Sequence, residues 1–504
     1  MSVRPEVRGR VRAPDEMAMA IDPAQPIPLY VQLKTLLLEE ILGGDYGPGE
    51  RLPTEHELCE RYRISRTPVS RALSELADEG VILRQRRLGT FVNPHWLHRR
   101  PDQAELRVVV TEGPWEEVIR DTSPDTRVNI VTVPRASLHQ TLTHAVAEGQ
   151  APDLAVLDSV WAREFAAAGF LYALEELDED WVRSEHELDF LEPLVEVNRY
   201  DGRTFGVATF ASAAGLWFRR HELESLGLEP PVNWAELRTV ARALATNRPR
   251  QLPVVLPGGS KGGETTAYCL IGLLASNGAQ VLTPEGVTLD SRATAQVLRF
   301  LRSLIDDGVM SSDVVGYEWD RPMRMLADGH AAMSFGGSYE ARPLAEALGV
   351  PLEELGQHIG FIPMPAGPQG ARASVIGAMV YGIFRQAANP KLAMRVLKNS
   401  VASRPLATAS LATGRIPSRR SSVALAAPHL PFIAQTAAML DRAVNRPSTP
   451  LYPRVSVQLQ AMLEAVLTGR LGPAAAARRT AEMIGAITGL PPVADVGVPV
   501  AARA

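Results

Sequence analysis

The stretch 51–92 constrains this chain more than any other, because its local signals leave the backbone little choice. Thr54-x-x-Glu57 is a capping box, in which a hydroxyl and a carboxylate satisfy the loose N–H groups of a new helix. That helix is short and runs into Tyr62. A second begins at Ser65, a good N-cap, and continues to Glu79 before Gly80 stops it. Val69, Ala72, Leu73 and Leu76 recur at helical spacing and give the second helix an apolar face. Its opposite face carries Arg66, Thr67, Ser70, Arg71 and Ser74. Residues 81–84 and 90–92 then read as a hairpin whose tip carries Arg86 and Arg87.

Two helices joined by a tight turn, the second with hydrogen-bonding groups at its N-terminal end, suit the major groove of B-DNA. An arginine can grip guanine O6 and N7 with two bonds, and hydroxyls can reach base edges or phosphate oxygens. The basic hairpin tip is a natural wing for backbone or minor-groove contact. Charge agrees with this reading. Residues 61–100 hold nine arginines against three acids, a local +6 in a chain whose net charge is −5. Positive charge is therefore concentrated where phosphates would lie.

Three segments carry a resemblance: Pro28-Leu29-Tyr30-x-Gln32-Leu33-Lys34, Gly44-Asp45-Tyr46-x-Pro48-Gly49-x-Arg51-Leu52-Pro53-Thr54-Glu55, and the Ser65-Arg66 turn. Together they resemble the winged helix-turn-helix of GntR-type regulators from about Pro28 to Val92. The resemblance implies that Arg51, Ser65, Arg66, Thr67, Gly89 and Thr90 approach DNA. With Thr54, Ser70, Arg71, Arg86 and Arg87, these are the candidate DNA-binding residues. There are departures from the family pattern. Ser70 stands where many members place a base-contacting arginine, Pro68 replaces a common threonine, Arg87 takes the place of the first wing glycine, and His56 occupies a position where some members have arginine. The operator sequence therefore does not carry over from relatives.

At 504 residues the chain is too long for one core, and two or three domains are expected. A hydrophobic share of 46% with 22% charged residues places it among globular rather than disordered or membrane chains. No apolar run approaches the roughly 18–20 residues of a membrane span. The Arg- and Pro-rich N-terminus has no apolar segment of signal-peptide type. Cys59 and Cys269 alone build neither a disulfide framework nor a cysteine zinc site, which fits a reduced, cytoplasmic setting. The expected organisation is a disordered arm at 1–26, with Met17 and Met19 as alternative starts, a winged helix-turn-helix at 27–93, a linker at 94–105, an effector domain at 106–490 and a tail at 491–504.

From Leu106 short apolar runs alternate with helical patterns, the rhythm of α/β architecture with mostly parallel sheets. Strands are expected at 107–110, 128–133, 153–157, 252–256, 331–335 and 375–383. Their C-terminal ends run into Thr111-Glu112-Gly113-Pro114-Trp115, Asp158-Ser159-Val160-Trp161, Pro257-Gly258-Gly259-Ser260 and Gly336-Gly337-Ser338-Tyr339. Ligands of open α/β sheets bind beyond those ends. Glycines, hydroxyls, an acid and aromatic rings there suit a polyhydroxylated ligand, whose apolar faces pack on aromatic rings. Trp181, Trp217 and Trp234 read as packing residues, and Asp158 also reads as a cap for the helix after it.

Glu148-Gly149-Gln150-Ala151-Pro152-Asp153, Ala168-Gly169-Phe170-Leu171-Tyr172-Ala173-Leu174, Tyr200-Asp201-Gly202-Arg203-Thr204-Phe205-Gly206-Val207 and Phe361-Ile362-Pro363-Met364-Pro365 resemble the extracellular solute-binding proteins of sugar importers. The resemblance implies a periplasmic-binding-protein-like fold of two lobes, at about 106–210 with 372–402 and 212–371 with 403–490. It places a hinge near 210–212. Carried over by position, its ligand contacts fall at Asp158, Ser159, Trp161, Trp319, Gly337, Ser338, Tyr339 and Tyr452, with Trp115 added from the strand ends. Tyr339 stands where many relatives have tryptophan.

The expected protein is thus a multidomain α/β transcriptional regulator, a homodimer on double-stranded operator DNA, controlled by a small-molecule effector. That effector is read as a sugar, with an amino acid, peptide or polyamine as the alternative. Neither cofactor nor metal is expected. A pyridoxal phosphate enzyme fused to the same head would need a buried lysine. The four lysines are Lys34, Lys261, Lys391 and Lys398, and Lys261 lacks the P-loop order because glycine follows it. A transport receptor with a vestigial head is the remaining rival.

Overall fold

A computed structural model describes residues 21, 29–42, 45–78, 80–85, 88–94 and 105–493. The expected arm apart from residue 21, the wing residues Arg86 and Arg87, the linker 95–104 and the tail from 494 lie outside them. The chain divides into two compact units, residues 1–100 with 133–150 and residues 101–132 with 151–504. The helix Arg135–Ala147 thus groups with the first unit, although the sequence assigns it to the effector domain.

In the first unit α1 (Leu29–Leu42), α2 (Glu55–Tyr62) and α3 (Arg66–Asp78) precede an antiparallel hairpin of β1 (Ile82–Gln85) and β2 (Gly89–Val92). The capping box at Thr54 forms, with both the Thr54 hydroxyl and the Glu57 carboxylate in place. Arg63 adopts the left-handed conformation (φ 53°) and ends α2, its N–H bonded to the Cys59 carbonyl. Val69, Ala72, Leu73 and Leu76 are all buried, so α3 turns its apolar face inward as its spacing demands. Polar contacts fix α1 against α3. The Arg71 guanidinium stacks 3.7 Å from the Tyr30 ring centre, and Lys34 lies 3.4 Å from Glu75.

The second unit is built on a ten-stranded sheet with two hydrophobic cores. Its strands are β3 (Glu105–Val110), β4 (Arg127–Thr132), β5 (Leu154–Asp158), β6 (Val207–Arg219), β7 (Leu252–Val255), β8 (Ala331–Gly337), β9 (Ile359–Pro363) and β10 (Ser374–Ile383), with short additions at Ile416–Pro417 and Ala443–Val444. The order runs β4-β3-β5-β10-β6-β8-β7, with β9 also on β6. Only β3–β4, β3–β5, β7–β8 and the short pairing of β10 with Ala443–Val444 are parallel. The pairings of β10 with β5, and of β6 with β10, β8 and β9, are antiparallel. This corrects the expectation of mostly parallel sheets: two long antiparallel strands join the halves, so the sheet is mixed.

The helices that matter for the site are α4 (Trp115–Thr122), α5 (Ser159–Ala167), α6 (Trp234–Asn247), α7 (Glu264–Ser276), α8 (Pro390–Ser400), α9 (Ser403–Thr413) and α10 (Tyr452–Leu467). β6 begins in one core with Val207 and Phe210 and ends in the other with Ala214, Leu216 and Phe218. β10 returns, with Val375 in the second core and Met379, Tyr381 and Ile383 in the first. Leu406 and Ala409 of α9 also pack into the first core. α9 thus packs beside α8, because the apolar residues of both face the same cluster. No described helix is long and apolar enough to cross a membrane.

Candidate functional site

On the first unit Ser65, Arg66, Thr67 and Arg71 are exposed and Ser70 is half-buried, all at the N-terminal half of α3. Arg66 extends outward with 82% of its side chain exposed, and its Nε donates to Glu55 at 2.8 Å. Glu55 also accepts from Arg84 at 2.6 Å, and these arginines hold its carboxyl below the usual range. One acid thereby aligns a helix arginine with a wing arginine. Arg51 lies against the other wing strand by a bridge to Phe91. Gly89 has φ +127°, and a Cβ there would come 2.8 Å from Arg51 Nε, so glycine is what lets the guanidinium cover the wing. Thr90 is half-buried beside it. Thr54 is different: its hydroxyl is spent on the cap of α2. Arg71 is also engaged, by Glu75 and the Tyr30 hydroxyl.

In the second unit Asp158 ends β5 and caps α5, accepting from the Val160 N–H. It also meets Arg446 at 2.7 Å, and both side chains are only 3% exposed. The same guanidinium donates to Ser159 Oγ at 3.1 Å and to Glu264 at 2.9 Å. Glu264 opens α7 and accepts in turn from the Tyr452 hydroxyl (2.7 Å) and from Ser456 (2.5 Å). The rings of Tyr268 and Tyr452 lie 5.9 Å from the Arg446 guanidinium carbon. Tyr339 joins the rim, its hydroxyl 3.4 Å from Thr265 Oγ1 and its ring 6.4 Å from Tyr268. Asp158 belongs to a strand of the first core, whereas Tyr268 and Tyr452 belong to the second. The network therefore ties the two lobes together. A buried guanidinium flanked by two carboxylates is stable only because each charge has a bonded partner. Burial would drain its proton affinity, but Asp158 and Glu264 outweigh that and push it upward.

Of the residues expected to bind ligand, the structure brings Asp158, Ser159, Tyr339 and Tyr452 together. Trp161 is half-buried on α5 and packs on the second core. Three others have separate tasks. Trp115 is 1% exposed in the first core, where its indole N–H donates to Thr209 Oγ1 at 3.1 Å; its ring packs so closely on Gly113 (φ +148°) that a Cβ there would overlap it. Ser338 Oγ accepts from the Ala213 N–H at 3.0 Å, and the Gly337 carbonyl accepts from the Trp217 indole at 3.1 Å, so both lock β6 to β8. Trp319 is 48% exposed and takes no part in the network. Trp181, Trp217 and Trp234 are buried. Glu264, Tyr268, Arg446 and Ser456 were missed. Arg446 lies in an aperiodic stretch, and nothing in local spacing marks it.

Lys34 and Lys398 pair with Glu75 and Asp178, while Lys261 and Lys391 are exposed, so none is the buried amine a Schiff base needs. Among the described residues no group of acids, histidines and cysteines could hold a metal.

Comparison with known proteins supplies the wider frame. Residues 109–400, more than half the chain, match the bacterial extracellular solute-binding proteins, and residues 29–92 match the gntR family of bacterial regulatory proteins. A Brucella abortus (strain 2308) chain, whose name marks it as a candidate binding protein, is 25% identical over 307 residues, 59% of this chain and 72% of its own. The arabinose metabolism transcriptional repressor of Geobacillus stearothermophilus is 36% identical over 85 residues, 17% of this chain and 23% of its own. The solute-binding protein of an ABC transporter from Thermotoga lettingae TMO, solved bound with α-D-tagatose, superposes with a TM-score of 0.69 at 23% identity. That match covers 77% of this chain and 100% of the other.

Proposed function

Because the chain belongs to the bacterial extracellular solute-binding proteins and carries a gntR-family head, we propose that it is a transcriptional regulator whose operator affinity is set by a small polyhydroxylated effector held between its lobes. The observation that carries this is the Asp158–Arg446–Glu264 network, a buried polar site shared by two lobes in a chain that also presents Arg66 and Thr67 outward on a helix-turn-helix. Lobe closure is a hinge transition, and β6 and β10 are the strands about which it would turn. Effector alters DNA affinity only through unequal affinity for the DNA-competent and incompetent forms, and the coupling is reciprocal. The chain acts in the cytoplasm as a homodimer, whose two heads read half-sites about one helical turn apart. The likeness of the effector domain to a tagatose-bound receptor supports a carbohydrate effector.

The test is fluorescence anisotropy of the full chain on DNA from upstream of its own gene. Tagatose, arabinose, maltose and related sugars are titrated in, with spermidine and amino acids as the other arm. A bound sugar is expected to change operator affinity by about 5–150-fold. A sugar that raises the melting temperature yet leaves operator affinity unmoved would overturn effector control. A shift seen with spermidine or amino acids alone would replace the carbohydrate.

A further inference from the structure

The network contains two carboxylates and one guanidinium, a formal charge of −1. Both terminal nitrogens of Arg446 are already occupied, Nη1 by Glu264 and Nη2 by Asp158 and Ser159. An anionic ligand would thus meet a guanidinium whose two terminal nitrogens each already serve a carboxylate, with both carboxylates close by. The hydroxyls of Ser159, Tyr452, Ser456, Tyr339 and Thr265 are neutral and can exchange bonds with a polyol. Carboxylate oxygens accept more than one hydrogen bond, so a ligand hydroxyl or ammonium can add to Glu264 without displacing Arg446. From this charge pattern we propose that the site at this network admits neutral or amino-bearing polyols and rejects sugar acids and sugar phosphates. The proposal rests on the network being the effector site, as argued above. Arg446 acts here as a fixed internal counter-ion; it is not an anion receptor.

Matched sets distinguish the outcomes. Neutral sugars (glucose, galactose, arabinose, maltose) are compared with glucosamine and galactosamine, and with glucuronate, galacturonate, glucose 6-phosphate and maltobionate, using melting temperature and calorimetric Kd of the full chain. The neutral or amino member of a set is expected to bind, and its anionic partner to bind at least about 100-fold more weakly, as close like charges demand. Asp158→Asn should narrow that ratio about tenfold. Glu264→Gln, which leaves Arg446 paired with Asp158, makes the same test should Asp158→Asn lose its cooperative melt. An anionic sugar that binds as well as its neutral partner overturns the charge argument while leaving the carbohydrate site standing. Absence of stabilisation by every member of every set overturns the carbohydrate site itself, and the charge argument with it.

Discussion

The Tyr268 hydroxyl lies 3.0 Å from the Val375 carbonyl and 3.3 Å from Ser212 Oγ, so one buried group from α7 reaches both strands that cross between the lobes. Its ring stands 5.9 Å from the Arg446 guanidinium carbon. Glu264, which holds that guanidinium, sits one helical turn earlier on α7. A single side chain therefore separates the charged network from the strands about which the lobes would move.

Tyr268→Phe removes the bond to β10 and the contact with β6 while keeping the packed ring. The expected cost is about 1–2 kcal/mol, that of a buried hydrogen bond whose partners are left unmet. Tyr268→Ala should cost about 3–5 kcal/mol, because the lost ring leaves a cavity. Chemical denaturation of the full chain measures both. Equal losses from the two variants would show that the hydroxyl, not the ring, carries the position.

Glu340 supplies a pH signature. Its carboxyl is buried in the second lobe with one oxygen unpartnered, and burial pushes its pKa up to about 8. The folded group holds its proton while the unfolded one has released it, so folding takes up a proton between the two pKa values. Its contribution to stability is complete below the unfolded value near 4.5 and is lost as pH rises toward 8. The slope is at most about 1.4 kcal/mol per pH unit. Glu340→Gln should flatten this dependence, gaining on the wild type at pH 8 and converging with it at pH 4.5. Parallel stability curves for the two proteins across that range would refute the assignment.

The head makes a separate prediction. Arg66 is highly exposed and Arg71 is engaged by Tyr30 and Glu75. Arg66→Ala should weaken operator binding by about 1–3 kcal/mol with little change in melting temperature, and relaxed discrimination at one base pair would mark a base contact. If it contacts phosphate instead, binding weakens across all sequences and the salt slope falls by about 1. Arg71→Ala should lower the melting temperature as well, since the α1–α3 stack goes with it. Anisotropy at several salt concentrations, with matched thermal scans, separates these outcomes.

What was legible in the sequence follows the range of the forces involved. The capping box, the buried face of α3 and the wing hairpin are local, and spacing alone exposes them. β6 was not read as one strand: its middle, Ala211-Ser212-Ala213-Ala214-Gly215, is buried on both faces and shows no alternation. Trp115 misled for a related reason. An aromatic ring after a strand is as suited to a core as to a ligand, and here it is held in the core by Thr209, 94 positions along the chain, and by the adjacent Phe210. Asp158 and Tyr452 could be placed, but their meeting point could not. Arg446 lies 288 residues from Asp158, and no local pattern encodes such a contact.

That long-range pair yields the last prediction. Arg446→Ala would leave Asp158 buried without its counter-ion, and a broken buried pair costs about 3–5 kcal/mol. Asp158→Ala would strand Arg446 less completely, because Glu264 still holds the other terminal nitrogen at 2.9 Å. The arginine change should therefore be the more damaging of the two. Removing both residues should cost less than the sum, since Asp158 is then no longer buried without Arg446 even though Glu264 still loses it, with a coupling of about 1–3 kcal/mol in a double-mutant cycle. Additivity within about 0.5 kcal/mol would mean that the two lobes do not feel each other through this contact. The same cycle repeated with saturating effector adds a further reading. If the ligand enters this network, the coupling must change, whereas a ligand bound elsewhere would leave the cycle where it stood.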